Sequence, residues 1–150
     1  MGLERLRVFL RRHRRVALDT SIFIYQLEAN LRYLALTDSI FSWVEVQGHE
    51  AVTSTITMTE LLVQPYRERN EPQVDEFYGL LSTYPNLQWI APNLEIADAA
   101  ARVRAAHRLR TPDALQAATA MHAHATAFIT NDPVFERVNE FETAVLDRLL

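Results

Sequence analysis

The chain has 150 residues, the length of one ordinary globular domain, and 49% of them are hydrophobic, which argues against intrinsic disorder. It contains no cysteine, which excludes disulfides, thiolate metal sites and thiol nucleophiles. The net charge of −4 argues against nucleic-acid binding through bulk positive charge, and no apolar run approaches the roughly 20 residues that a membrane-spanning helix needs. We therefore expect one domain over residues 1–150 in a soluble, cytoplasmic protein with no membrane association.

The first stretch is strongly basic although the chain is acidic overall. Six arginines fall within residues 5–15. Between them, apolar residues recur at near-helical spacing: Leu3, Leu6, Val8, Phe9 and Leu10. This pattern predicts an amphipathic N-terminal helix over residues 3–14, within a basic segment of residues 1–15 that precedes a core of residues 16–150. We interpret the arginines as a solvated face.

The next stretch reads as a buried strand that leads into a helix. Residues 16–18 are uniformly apolar, which is typical of a strand covered on both faces. Asp19, Thr20 and Ser21 follow, and residues of these types favour helix N-caps. In an open parallel sheet the ligand crevice lies outside the carboxyl ends of the strands, so Asp19 is predicted to face the site of function. The alternative is that Asp19 only caps the helix.

The rest of the chain alternates between predicted helices and strands. Strands are predicted at residues 51–56, 87–90 and 127–130, with a last edge strand at 143–146. Helices are predicted between them, one capped by Thr57 or Thr59 and closed by Pro65, and one capped by Thr111 with Pro112 in its first position. The alternation predicts an α/β fold, a three-layer α/β/α sandwich with a central parallel sheet, preceded by the extra N-terminal amphipathic helix.

Four acidic residues are predicted to meet at one edge of this sheet. Asp19 and Asp132 directly follow predicted strands, and Glu60 comes about one helical turn after the predicted strand at residues 51–56. Asp113 opens a helix that must start at the same edge of the sheet. Each has an alternative role as a helix cap or an exposed helix residue. Crowded carboxylates repel and raise one another's pKa unless a cation neutralises them, and oxygen-only ligation selects Mg²⁺ or Mn²⁺. Such ions, about 4 Å apart, suit phosphodiester cleavage, which predicts a nuclease.

Four segments together resemble the motifs of PIN domains, and the closest resemblance is to the VapC toxins of bacterial type II toxin–antitoxin pairs. The segments are residues 16–21 (Val-Ala-Leu-Asp-Thr-Ser), 57–61 (Thr-Met-Thr-Glu-Leu), 111–120 (Thr-Pro-Asp-Ala-Leu-Gln-Ala-Ala-Thr-Ala) and 128–132 (Phe-Ile-Thr-Asn-Asp). Each motif is weak alone, but the order and spacing of the set are specific. The sequence departs from the family pattern in its long N-terminal helix, in Pro133 after the last acid, and in its acidic charge.

The resemblance implies a metal-dependent endoribonuclease that cleaves single-stranded RNA, with Mg²⁺ or Mn²⁺ as cofactor. It also implies a cognate antitoxin protein that covers the groove, and a homodimer. The residues that it implicates are the metal-binding and catalytic quartet Asp19, Glu60, Asp113 and Asp132, with Thr130 and either Thr20 or Ser21 orienting the carboxylates or water.

Two other functions remain open at this point. The same fold can serve as a non-catalytic module that binds RNA or protein, with the acids acting as caps. A phosphatase of the haloacid dehalogenase type is a weaker alternative, because Ser21 stands where those enzymes place a second aspartate. Hydrolysis by metal-activated water predicts a 5′-phosphate and a 3′-hydroxyl as products, without use of the RNA 2′-hydroxyl.

Overall fold

A computed structural model describes the whole chain, Met1–Leu150. The chain forms seven α-helices, five β-strands and two short 3₁₀ helices. In order, these are α1 (Gly2–Arg11), β1 (Arg15–Leu18), α2 (Thr20–Leu27), α3 (Leu34–Glu45), β2 (Glu50–Ser54), α4 (Thr55–Arg67), α5 (Glu71–Ser82), β3 (Leu87–Ile90), α6 (Leu94–His107), α7 (Thr111–His122), β4 (Ala127–Thr130), a 3₁₀ helix (Pro133–Arg137), β5 (Glu142–Val145) and a last 3₁₀ helix (Leu146–Arg148). None of the helices is both long and apolar enough to cross a membrane.

The five strands form one parallel sheet in the order β3-β2-β1-β4-β5. The chain starts in the central strand β1, builds outward through β2 and β3, and then returns to β4 on the other side of β1. The strand order therefore reverses between β1 and β4. In sheets of this kind a crevice opens at that reversal, outside the carboxyl ends of the two strands, because their following segments lead to opposite faces of the sheet.

Side chains alternate between the two faces of the sheet and feed two separate cores. In β1, Val16 and Leu18 join a core with α1, α2 and α3, whereas Ala17 faces a second core with α6 and α7. In β4, Ile129 joins the first core and Phe128 joins the second. Residues 16–18 of β1 and 127–129 of β4 are all apolar because both faces of these strands are covered. The predicted three-layer sandwich with a parallel sheet is confirmed.

The extra N-terminal helix is also present, and it packs on the body of the fold. Leu6, Phe9 and Leu10 of α1 are buried in the same core as α2 and α3. The helix ends at Arg11 rather than at the predicted residue 14, because the chain must turn there to enter β1. The turn is held by His13, whose imidazole lies 2.7 Å from the Thr126 hydroxyl.

The structure corrects two boundaries around α4. Ser54, rather than Thr57 or Thr59, caps this helix, and its hydroxyl accepts the backbone N–H of Ile56 at 3.2 Å. The helix also continues through Pro65 to Arg67 instead of closing there. Pro65 lies within the last turn, where its missing N–H removes only one hydrogen bond of the helix. Thr57 is consequently inside the helix and fully buried.

The cap of α7 is also shifted by one residue from the prediction. Arg110 occupies the N-cap position with no side-chain hydrogen bond, and Thr111 and Pro112 are the first two helical residues. Proline is well tolerated there because its missing N–H would have no helical partner. The shift places Asp113 in the first helical turn, where the helix dipole favours a carboxylate.

We expect Leu6→Ala to lower the free energy of unfolding by about 2–5 kcal/mol, because it leaves a cavity under α1. Val8→Ala on the same helix is the matched control, since Val8 is 45% exposed. Its effect should stay near 0.5 kcal/mol, the usual size at an exposed position. Urea unfolding followed by circular dichroism measures both. Equal effects would show that α1 is not anchored through this side chain.

Candidate active site

Asp19 lies at the reversal of strand order, and three hydrogen bonds fix its position. Its backbone N–H donates to the carbonyl of Ile129 at 3.0 Å, which extends the pairing of β1 with β4 by one residue. One carboxylate oxygen accepts the Thr20 N–H at 2.9 Å and so caps α2. The other accepts the Thr130 hydroxyl at 2.7 Å. Asp19 therefore caps α2, which was the alternative role considered from the sequence. Its second carboxylate oxygen remains directed at β4.

Thr130 connects Asp19 to Asp132. This last residue of β4 is fully buried, and its hydroxyl accepts the backbone N–H of Asp132 at 3.0 Å while donating to Asp19. The Asp132 carboxylate accepts the N–H of Val134 at 3.0 Å and caps the 3₁₀ helix that begins at Pro133. One buried hydroxyl thus sets the relative position of two acids from adjacent strand ends.

Glu60 reaches the same edge from the second turn of α4. The Thr20 hydroxyl donates to its Oε1 at 2.7 Å, so the residue that follows Asp19 holds this third carboxylate. Thr20 is buried, whereas Glu60 is exposed. The predicted role of Thr20 in orienting a carboxylate is consistent with this contact. The Ser21 hydroxyl is buried without a hydrogen-bond partner, so it orients none of the acids here.

Asp113 projects from the first turn of α7 and is half-buried. Burial, followed by repulsion from Asp132 and from Glu60, raises its pKa, while the Arg110 guanidinium partly offsets this effect. These repulsions show that Asp113 lies close enough to both acids to interact with them. The helix that carries Asp113 therefore starts at the predicted edge of the sheet.

Asp19 has the most strongly perturbed carboxyl group of the four. Its pKa is raised to about 6, mainly by burial and to a smaller extent by repulsion from Asp113 and Glu60. The hydrogen bonds from Thr130 and Thr20 act in the opposite direction but do not cancel the effect of burial. The structure thus brings all four acids into one electrostatically coupled cluster, in which the ionised form of Asp19 is disfavoured.

The cluster fits a hard divalent cation in its chemistry. All of its donors are oxygens, and a bound cation would relieve both the burial cost at Asp19 and the mutual repulsion. In the present arrangement no three carboxylate or imidazole side chains are close enough to hold one ion together. The carboxylates of Asp19, Glu60 and Asp132 are instead held by hydrogen bonds from hydroxyls and backbone N–H groups.

Sequence reasoning missed a layer of polar residues beneath the acids. Thr53, Thr57 and Gln116 are all buried and hydrogen-bonded to one another or to Thr20. Gln116 carried a signal that could have been used: it follows Asp113 by three positions and so lies on the same helix face, within an otherwise alanine-rich buried stretch. Buried polar residues of this kind need partners, which points to a network.

Folding stability should fall as the pH rises from about 4 to about 6 and then level off. The folded protein keeps the Asp19 proton up to a pKa of about 6, whereas the unfolded chain releases it near the ordinary aspartate pKa of 3.8, so the native state binds more protons in this window. At about 1.4 kcal/mol per pKa unit, the loss is at most about 3 kcal/mol. Urea unfolding in EDTA at pH 4 and pH 7 measures it.

Asp19→Asn should remove at least half of this pH-dependent loss, because the amide does not titrate. Asp75→Asn, at an exposed position on α5, is the control and should leave the loss intact. If Asp19→Asn loses as much folding stability between pH 4 and pH 7 as the parent protein, the pKa of Asp19 is not raised in the folded protein.

Comparison with solved structures finds the same fold in chains from toxin–antitoxin complexes. A chain of a toxin–antitoxin complex from Klebsiella pneumoniae superposes with a TM-score of 0.68 at 22% identity, covering 87% of this chain and 97% of that one. For VapBC-1 from nontypeable Haemophilus influenzae the TM-score is 0.68 at 22% identity, with 89% and 98% covered. For VapBC2 from Rickettsia felis, bound to a DNA fragment from their promoter, it is 0.67 at 16% identity, with 87% and 98% covered. At these identities the likeness establishes the fold.

Sequence comparison assigns the family. No curated protein matches the chain. The model of the PIN domain, however, matches residues 16–140, which include all four acids. Outside the match lie residues 1–15, with α1, and residues 141–150, with β5 and the last 3₁₀ helix. The chain belongs to the PIN domain family.

Proposed function

We propose that this protein is a metal-dependent endoribonuclease that hydrolyses single-stranded RNA, and that it acts as the toxin of a type II toxin–antitoxin pair. The observation that carries the nuclease proposal is the cluster of four coupled acids at the reversal of strand order, with Asp19 buried and its pKa raised. A buried carboxylate surrounded by like charges is costly to maintain. Membership of the PIN domain family and the fold of toxin–antitoxin complexes agree with the proposal.

In this proposal Asp19, Glu60, Asp113 and Asp132 hold Mg²⁺ or Mn²⁺. When bound, the cation supplies charge for the phosphate oxygens and lowers the pKa of water. The remaining work falls to the chain itself. Thr130 keeps Asp19 aimed toward β4, and Thr20 keeps Glu60 turned toward Asp19. The first turn of α7 offers the positive end of a helix to the ionised Asp113.

The position of Arg110 favours a substrate that carries phosphate at this edge of the sheet. It is exposed, immediately precedes α7, and its guanidinium interacts electrostatically with Asp113. A guanidinium beside a carboxylate-held cation suits a phosphodiester, because it forms forked hydrogen bonds to phosphate oxygens. The chain as a whole carries a net charge of −4, so contacts near the site, rather than bulk charge, would have to bind the RNA.

We further propose an antitoxin protein as partner. Similar chains occur in complexes whose names identify them as toxin–antitoxin or VapBC assemblies. Beside the acid cluster, a groove of about 250 Å³ between α2 and α4 includes Glu60, Glu28 and Glu68 together with Ile24 and Leu27. Its mixture of apolar and acidic side chains suits a basic amphipathic segment. Homodimerisation stays a prediction.

A non-catalytic module is the competing proposal, and a specific observation favours it. Asp19 and Asp132 both cap helices through backbone N–H groups at 2.9 and 3.0 Å, and the four acids do not converge on one point. In that case the acids would contribute to structure alone, and the cleft would bind RNA or protein without cleaving it.

Purified protein should cut single-stranded RNA in the presence of Mg²⁺ or Mn²⁺ and leave 5′-phosphate ends. Asp19→Asn and Asp113→Asn should each lower the cleavage rate by at least about 100-fold, the equivalent of a few kcal/mol of lost transition-state stabilisation. Asp75→Asn is the matched control at an exposed carboxylate. Gel analysis of labelled RNA measures the rates and identifies the ends. If both variants cut as fast as the parent, these acids do not carry the reaction.

Metal binding separates the two proposals without an activity assay. Isothermal titration with Mn²⁺ should show saturable binding to the parent protein and to Asp75→Asn, and none to Asp19→Asn. A protein in which the acids only cap helices would show no saturable binding, while Asp19→Asn would still change the midpoint of unfolding.

A further inference from the structure

A buried hydrogen-bond network lies directly beneath the acid cluster. It consists of Thr20, Thr53, Thr57 and Gln116, which we call the threonine network. Their exposed fractions are 7%, 1%, 0% and 3% respectively. The four residues come from α2, β2, α4 and α7, so the network joins elements from both sides of the sheet under Glu60. Gln116 is polar although its buried neighbours Ala117 and Ala120 on the same helix are apolar.

The hydrogen atoms of this network can be assigned from the distances. Thr53 donates its hydroxyl hydrogen to the carbonyl oxygen of Leu18 at 2.9 Å. Its oxygen also lies 2.7 Å from that of Thr57, and since the Thr53 hydrogen is already used, Thr57 must be the donor there. The oxygen of Thr57 is then free to accept, and it receives the side-chain N–H of Gln116 at 2.8 Å.

Thr20 has two possible acceptors for its single hydrogen. Its hydroxyl oxygen is 2.7 Å from Oε1 of Glu60 and 3.3 Å from that of Thr57. Gln116 biases this choice in two ways. It already donates to the Thr57 oxygen, and the same nitrogen lies 3.4 Å from Thr20, where it can donate its second hydrogen. A hydroxyl that accepts from Gln116 on one side donates on the other, toward Glu60.

We infer that Gln116 is a positioning residue, whose amide directs the Thr20 hydroxyl onto Glu60 and so fixes where that carboxylate stands in the acid cluster. The inference rests on the proposed function for the role of Glu60. Without the amide, both lone pairs of the Thr57 oxygen are unoccupied and the Thr20 oxygen no longer accepts from Gln116, so Thr20 can turn its hydrogen from Glu60 to Thr57. The exposed glutamate would then lose its one side-chain hydrogen bond.

The test compares Gln116→Met with Thr119→Val. Methionine keeps the length of glutamine but has no N–H to donate. Thr119 lies on the same helix, is 1% exposed, and bonds only to the carbonyl of Leu115, so it is a buried polar control outside the network. Gln116→His, which retains a ring N–H donor, is a third variant in case the methionine variant does not fold.

Gln116→Met should lower kcat for RNA cleavage and the affinity for Mn²⁺ by about 10-fold or more, with KM within about two-fold, as expected when the hydrogen bond that orients a metal ligand is lost. Thr119→Val should change the urea midpoint of unfolding but neither kcat nor the affinity for Mn²⁺. Gln116→His should recover part of kcat and part of the affinity for Mn²⁺. If Gln116→Met and Thr119→Val lose the same stability and retain the same kcat and Mn²⁺ affinity, Gln116 is only a packing residue and the inference is wrong.

A crystal structure of Gln116→Met provides a readout that does not depend on activity. The Thr20 hydroxyl should leave Glu60 and move to Thr57, and an unchanged 2.7 Å contact with Glu60 would overturn the inference. If the parent protein neither cleaves RNA nor binds Mn²⁺, the proposed function fails. The inference about Gln116 and the Thr20 hydroxyl is then judged by this structure alone.

Discussion

The pairing of β1 with β4 is the constraint on which the rest of the site depends. It is the point where the strand order reverses, and the Asp19 N–H continues that pairing one residue past the strand. The Thr130 hydroxyl then joins the two strand ends through Asp19 and Asp132. Because both contacts lie at the mouth of the crevice, any shift between these strands would move two acids at once. A buried hydroxyl between rigid strands is therefore a more precise support than a loop would give.

Asp19 and Asp132 each cap a helix and also belong to the acid cluster. Asp19 caps α2 with one oxygen and contacts Thr130 with the other, while Asp132 caps a 3₁₀ helix. Helix N-termini stabilise negative charge, so a carboxylate placed there recovers through the dipole and the backbone N–H part of the free energy that burial and repulsion cost it. The raised pKa of Asp19 shows that burial still prevails over these hydrogen bonds. The same residues can thus anchor local structure and supply an electrostatic site.

Much of the fold was predictable because its signals are local. Short apolar runs identified β1 and β4, and capping residues and Pro112 identified the starts of α2 and α7 to within one residue. The start of α4 was placed too late, at Thr57 or Thr59 instead of Ser54. The edge shared by the acids also followed from parallel topology alone. The end of the helix that contains Pro65 was misjudged, since α4 continues for two residues beyond the proline to Arg67.

The second layer of the site was not predictable in the same way. Gln116 bonds to Thr57 and Thr20, which lie 59 and 96 positions away in the sequence. No periodicity or composition reports such a pairing, because it exists only once three helices have packed. The same holds for Asn131, whose amide donates to the Tyr25 hydroxyl at 3.0 Å and whose carbonyl accepts the Asp147 N–H at 2.8 Å. Contacts of this type are a property of tertiary structure.

The central position of β1 also has a consequence for synthesis of the chain. Asp19 emerges early from the ribosome, but its partner Thr130 follows 111 positions later. Contacts between such distant residues form late in folding, since the intervening loop must close first. The crevice therefore cannot assemble on a growing chain until β4, with Thr130, has been translated.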